Sequence, residues 1–124
     1  MKGNIIRMKL QTTISDRTMD QIVQVALEGG IEHWCEKAEI IGNYLGERDS
    51  DQISRGGQIF LYDFIGEQEL YLNKRNFLEG VRLFILNSKK RKETTDYGVR
   101  FYDIDSNHAD FIIQYALFGE VKYI

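Results

Sequence analysis

The feature that most restricts this chain is a repeated change of hydrophobic period, with no proline anywhere in its 124 residues. Segments in which apolar and polar side chains alternate give way to segments in which apolar ones return every three or four residues, the pattern of a mixed sheet and helix domain. Without proline no stretch reads as an extended linker, and the glycines fall mostly at element ends. Residues 1–124 are therefore read as one α+β domain, a mainly antiparallel sheet packed by two or three helices. A chain of this length buries roughly two thirds of its unfolded surface, enough for one stable core.

The first strand is expected over Ile5 to Thr13, where Ile6, Met8 and Leu10 oppose Arg7, Lys9 and Gln11. Ser15 caps a helix carrying Met19, Ile22, Val23, Ala26 and Leu27, with Asp16 and Asp20 at its positive end and Gly29–Gly30 closing it. Ile31, Trp34 and Cys35 have the spacing of one helical turn, and the alternation from Ala38 to Tyr44 reads as a strand. Gly46 to Gln52 is highly charged and is expected as an exposed loop, followed by a turn at Arg55, Gly56 and Gly57. Ile59 to Phe64 and Glu69 to Asn73 form a hairpin whose two faces are both apolar enough to be covered. Asn73 caps the clearest helix, Asn73 to Ser88, with Phe77, Leu78, Val81, Phe84 and Ile85 along one stripe. A strand is expected from Val99 to Ile104. A last helix, Asp105 to Phe118, ends at Gly119 and precedes a final strand from Glu120 to Ile124.

Charge and cysteine content restrict the function classes. Sixteen Lys and Arg against 19 Asp and Glu give a net charge of -3, so no global positive field gathers nucleic acid or anionic membrane. One cysteine closes no intrachain disulfide, which suits a reducing cytoplasm. The N-terminus lacks the apolar core of a signal peptide, and no run of about 18 apolar residues occurs.

No reactive constellation stands out. Asp103, Asp105 and Asn107 resemble the opening of a calcium loop, but His108 and Gln114 replace the turn glycine and the closing glutamate, so a helix cap by Asp105 is the better account. His33 beside Cys35 lacks a third group for thiolate chemistry, and adding His108 yields no metal-ligand spacing. The 19 acidic residues show no spacing that fixes two together for hydrolysis. The expectation is a protein that is not an enzyme and that carries no metal or cofactor.

Three binding surfaces can be named. Arg55, Gly56 and Gly57 after Ser54 offer backbone amides and a guanidinium to a phosphate, although a tight turn is the better account of them and neither a Walker loop nor a dinucleotide motif is matched. With Trp34 and Tyr62 as an aromatic wall they would make a nucleotide pocket. Lys74, Arg75, Arg82 and the run Lys89, Lys90, Arg91 and Lys92 form a basic ridge near Tyr71, Phe77 and Tyr97, the alternative nucleic-acid surface. Glu47, Asp49 and Asp51, with Asp103, Asp105 and Asp110, could meet a basic groove on another protein, or simply solvate a loop and cap a helix.

The stretches ALEGGIEHWCEKAE (Ala26 to Glu39), QISRGGQIFLYD (Gln52 to Asp63) and DIDSNHADFIIQYALFGEVKY (Asp103 to Tyr123) resemble small proteins encoded by prophages and mobile elements of gut Gram-positive bacteria. The resemblance implies an accessory binding protein that antagonises host defence, either by holding a defence protein such as a CRISPR effector or by sequestering a signalling nucleotide. It transfers no site residues. A homodimer through a sheet edge or an aromatic patch is compatible with this reading.

Overall fold

The computed structural model of the chain describes residues 3–6, 12–90 and 104–124. Arg91, Lys92, Tyr97, Asp103 and all of the expected strand Val99 to Ile104 except its last residue lie outside the described residues, and Ile104 itself is not in a strand.

The segment expected as one first strand contains two. β1 (Asn4–Ile6) and β2 (Thr12–Ile14) pair antiparallel, with Asn4 opposite Ile14 and Ile6 opposite Thr12. Ile6 and Ile14 are buried. The Asn4 side-chain amide ties this ribbon to the start of the first helix, donating to the Ile14 carbonyl and to Asp16 Oδ1, each at 3.0 Å.

That helix, α1 (Asp16–Val25), begins where expected: Ser15 has extended backbone angles, and its hydroxyl accepts from the Thr18 amide. Met19, Ile22 and Val23 form its buried stripe. The helix widens into one π-type turn over Ala26–Gly30 before β3 (Cys35–Ile41). β4 (Gln58–Asp63) and β5 (Gln68–Leu72) complete a three-stranded antiparallel sheet in the order β3-β4-β5. Cross-strand partners share a face. Ala38 and Ile40 therefore lie with Leu61 and Ile59, whereas Lys37, Glu39 and Ile41 lie with Tyr62, Phe60 and Gln58.

The loop expected to be exposed is so at residues 46–49 but is held from within. A single 3-10 turn spans Asp49–Asp51, and Ser50 and Gln52 are buried. Gln52 accepts from the Leu45 amide at 2.8 Å and donates to the Leu45 and Arg48 carbonyls, so a polar side chain supplies the organisation that apolar residues lack here.

α2 (Lys74–Lys90) carries a reciprocal cap, each of Asn73 and Asn76 accepting the other's amide at 2.9 Å. α3 (Ser106–Phe118) is capped by Asp105, which accepts from the His108 amide, and closed by Gly119 in left-handed geometry. α3 lies against α2, α1, the π-type turn and β5. The α2–α3 approach depends on Gly80, where an added Cβ would sit 2.5 Å from the Ile112 carbonyl oxygen. The whole is one α+β domain whose core lies between the helices and one face of the β3-β4-β5 sheet. The expected final strand is absent: residues 120–124 lie in no sheet. Among the described residues no helix is long and apolar enough to cross a membrane.

Candidate functional site

Two aspartates occupy positions that the local pattern reserves for apolar residues. Asp63 continues the inward alternation of Ile59 and Leu61 in β4, and Asp110 lies beside Ala109 and one turn before Gln114 in α3. Both are buried, as is Gln114. A buried carboxylate is tolerated only when donors replace its lost water, and here the donors link three distant parts of the chain.

Asp63 Oδ1 accepts the Ile65 and Gly66 amides of the hairpin turn at 3.0 and 2.9 Å. Its Oδ2 accepts Gln68 Nε2 at 3.0 Å and the Tyr123 hydroxyl at 2.7 Å. Asp110 Oδ1 accepts Trp34 Nε1 at 2.7 Å and Gln114 Nε2 at 3.0 Å, and Oδ2 lies 3.4 Å from His33 Nε2. Gln114 joins the two aspartates. Its Oε1 accepts the Lys122 and Tyr123 amides and its Nε2 donates to the Tyr123 carbonyl, all at 2.8 Å. A side chain thus makes the bonds that a neighbouring strand would have made, so the tail is held without belonging to a sheet. Trp34, Phe118 and Tyr123 pack their rings above the network at centroid separations of 5.5 to 6.1 Å, and Lys122 lies over two of them.

The electrostatics of the two carboxyls differ. Burial alone would raise Asp63, but the bonds from Gly66, Gln68, Tyr123 and Ile65 outweigh it and hold the carboxyl below its ordinary value. At Asp110 burial wins over Trp34, Gln114 and His33, and the carboxyl is raised. Burial and the Asp63 carboxylate push the Tyr123 phenol up to about 12.

His33 on Asp110 has the form of an imidazole oriented by a carboxylate, but among the described residues no hydroxyl or thiol is hydrogen-bonded to its ring. The Cys35 thiol is buried, donates to the Lys37 carbonyl at 3.3 Å, and is raised by that burial away from thiolate character. Among the described residues no group of three or more His, Cys, Asp or Glu is placed to hold a metal ion. The network is a clasp that fixes the α3 end and residues 122–123 to the hairpin.

The nucleotide-pocket residues are not gathered into one site. Trp34 is fully buried on the core side. Tyr62 lies on the opposite face of the sheet, with its cross-strand partners Lys37 and Glu69. Arg55 contacts Asp20 at 3.7 Å and the Asp51 carbonyl. The Gly56 and Gly57 amides donate to the Ile53 and Gln52 carbonyls, so the turn uses for itself the donors a phosphate would need. Of the basic ridge, Lys74 reaches the Ser54 carbonyl, Arg82 is held by both oxygens of Glu79, and Arg75 is exposed. Lys89 and Lys90 end α2.

The acidic surface divides similarly. Glu47 and Asp49 are exposed, but the Asp51 carboxylate accepts the Glu47 and Arg48 amides, Asp105 caps α3, and Asp110 is buried and not available to a partner. Sequence reasoning missed Asp63, Asp110 and Gln114 as a group. The signal was present as polar residues on the apolar faces of two well-marked elements.

Among the described residues no helix covers the outer face of the sheet, contrary to the expectation that both faces could be covered. Phe60 and Tyr62 of β4 are only half-buried there, and Tyr71 of β5 and Ile41 of β3 are 47% and 42% exposed. The Phe60 and Tyr71 rings are paired at 5.6 Å. The charges on this face are Lys37, ion-paired with Glu39 at 3.3 Å, and Glu69. No protein-family model, no curated protein and no solved structure matches the chain.

Proposed function

We propose that this protein acts by holding a protein partner, without transforming it, on the open aromatic face of the β3-β4-β5 sheet. The observation that carries the reading is the cluster of Phe60, Tyr62, Tyr71 and Ile41 on a face that no helix covers among the described residues. Aromatic side chains supply large contact area at small entropic cost and dominate the energetics of protein interfaces. The charges around them select the class of partner: one lysine already paired with a glutamate, beside a second glutamate, offers nothing to a phosphate backbone. The resemblance to prophage-encoded accessory proteins favours a bacterial defence protein, a CRISPR effector being one example, as that partner. The self-satisfied Gly56–Gly57 turn argues for this over sequestration of a signalling nucleotide.

The test compares the wild-type protein with a Tyr71→Ser/Ile41→Ser variant, both expressed with an affinity tag in a bacterial host that carries active defence systems. Both replaced side chains are solvent-exposed, so the melting temperature is expected to change little. A protein retained by the wild type and lost at least tenfold by the variant, then shown by calorimetry to bind the purified wild type directly, is the expected result. Equal retention by both, or co-purification of nucleotide or nucleic acid in place of protein, would overturn the reading.

A further inference from the structure

β3 is an edge strand. Six of its seven residues pair with β4 on one side, with a register shift at Glu36, and among the described residues no strand lies along the other. An edge of this length is a template for another strand, and charged side chains normally protect it. Here the charges have an order that protects it against strangers and not against itself. Read antiparallel about Ala38, the sequence Glu36-Lys37-Ala38-Glu39-Ile40 sets Lys37 of one copy opposite Glu39 of the other, twice by symmetry. Both side chains are 56% exposed on the outer face and already lie 3.3 Å apart within one chain, so pairing would build an alternating square of four charges.

The core side of the same edge carries a recess. A recess of about 200 Å³ lies beside the first half of β3, lined by Leu27, Ile31, Cys35 and Ala38 and by the charged Glu32, Glu36 and Lys37. The same register sets Ile40 of the second copy opposite Glu36, at this recess. Ile40 is half-buried and on the core side, as its pairing with Ile59 shows.

We infer that β3 is a self-recognition edge, through which two copies of this chain pair antiparallel about Ala38 into one continuous six-stranded sheet. The inference does not require the proposed partner, because it concerns the free backbone edge of β3, although Lys37, Glu39 and Ile41 also border the aromatic face. Its consequence is nonetheless relevant to that surface, since two aromatic faces would become one.

Charge exchange at the two exposed positions tests it in the full-length protein. Sedimentation equilibrium from micromolar to millimolar concentration is expected to show a wild-type dimer. Lys37→Glu and Glu39→Lys, each alone, should weaken it about tenfold or more, because every opposed pair becomes like-charged. The double exchange Lys37→Glu/Glu39→Lys should restore the homodimer, and an equimolar mixture of the two single variants should form a heterodimer. Circular dichroism establishes that each variant is folded. Hydrogen exchange at residues 36–40 should slow with rising concentration. A monomer throughout, a dimer indifferent to the exchanges, or edge protection that is the same at all concentrations, as a segment of the same chain would give, each overturns the inference.

Discussion

The Asp63 and Asp110 ends of the buried network use the same residue type in opposite ways. At Asp63 four donors converge on two oxygens, and the carboxylate is more stable in the folded chain than in water. At Asp110 two donors share one oxygen and the other faces a half-exposed histidine, so desolvation is not fully offset. The difference teaches that burial does not set the worth of a charge. The number and direction of the groups that replace water do. Asp63 organises a turn by being charged, whereas Asp110 holds Trp34 and Gln114 by being an acceptor, a role that does not require the charge.

Substitutions can break this contrast, and the largest effect is expected at Asp63. Asp63→Ala would strand the Ile65 and Gly66 amides, Gln68 and the Tyr123 hydroxyl, and should cost about 4 kcal/mol in urea denaturation. A loss under about 1 kcal/mol would show that water replaces the carboxylate without penalty. Gln114→Leu is expected to cost about 2 to 3 kcal/mol, because three backbone groups of the tail lose their partner at once. Its amide exchange should accelerate at Lys122 and Tyr123 while the centre of α2 is unaffected.

Tyr123→Phe removes one charge-assisted bond and should cost about 1.5 kcal/mol. It also sharpens the electrostatic side of the comparison. A phenol raised to about 12 keeps its proton in the folded chain, so the stability it contributes is present below its ordinary value of 10 and is lost as the pH rises toward 12. Spectrophotometric titration should lose a component ionising at about 12 in the variant.

Asp110→Asn should have the smallest effect on stability at neutral pH, less than about 1 kcal/mol, since its carbonyl oxygen still accepts from Trp34 and Gln114. The sign of its pH dependence separates it from Asp63. The depressed Asp63 contributes stability above the ordinary carboxylate value of 3.8 and loses it as the pH falls through its lower folded value. The raised Asp110 binds its proton more tightly when folded, so its contribution diminishes as the pH rises from 3.8 to its higher folded value. Denaturation midpoints measured from acid to neutral pH should therefore lose a falling component in Asp110→Asn and a rising one in Asp63→Asn. Identical profiles for the two variants would erase the distinction.

The elements most legible in the sequence are those in which pattern and punctuation agree locally. Ser15, Asn73 and Asp105 each cap the helix whose apolar stripe comes next, and the β4–β5 hairpin shows both alternation and a turn. The first ribbon is hidden because the alternation of Ile6, Met8 and Leu10 runs on without a glycine or proline to mark the reversal. The tail misleads because a run such as Val121 to Ile124 is strand-like in composition, while its hydrogen-bond partner, Gln114, is a side chain of a helix. Asp110 reads as surface charge because 19 acids in a short chain make a buried one hard to distinguish by type.

The residues alone determined the periods, the caps and the absence of any strong positive field, all properties of composition or of neighbours along the chain. That Trp34, Asp63, Asp110, Gln114 and Tyr123 form one network, and that Phe60, Tyr62 and Tyr71 are left outside the core, was decided only in three dimensions. The physical reason is range: periodicity and capping act over a few residues, whereas Trp34 meets Asp110 across 76 positions and Tyr123 meets Asp63 across 60. Which polar group is buried depends on what folding brings to it.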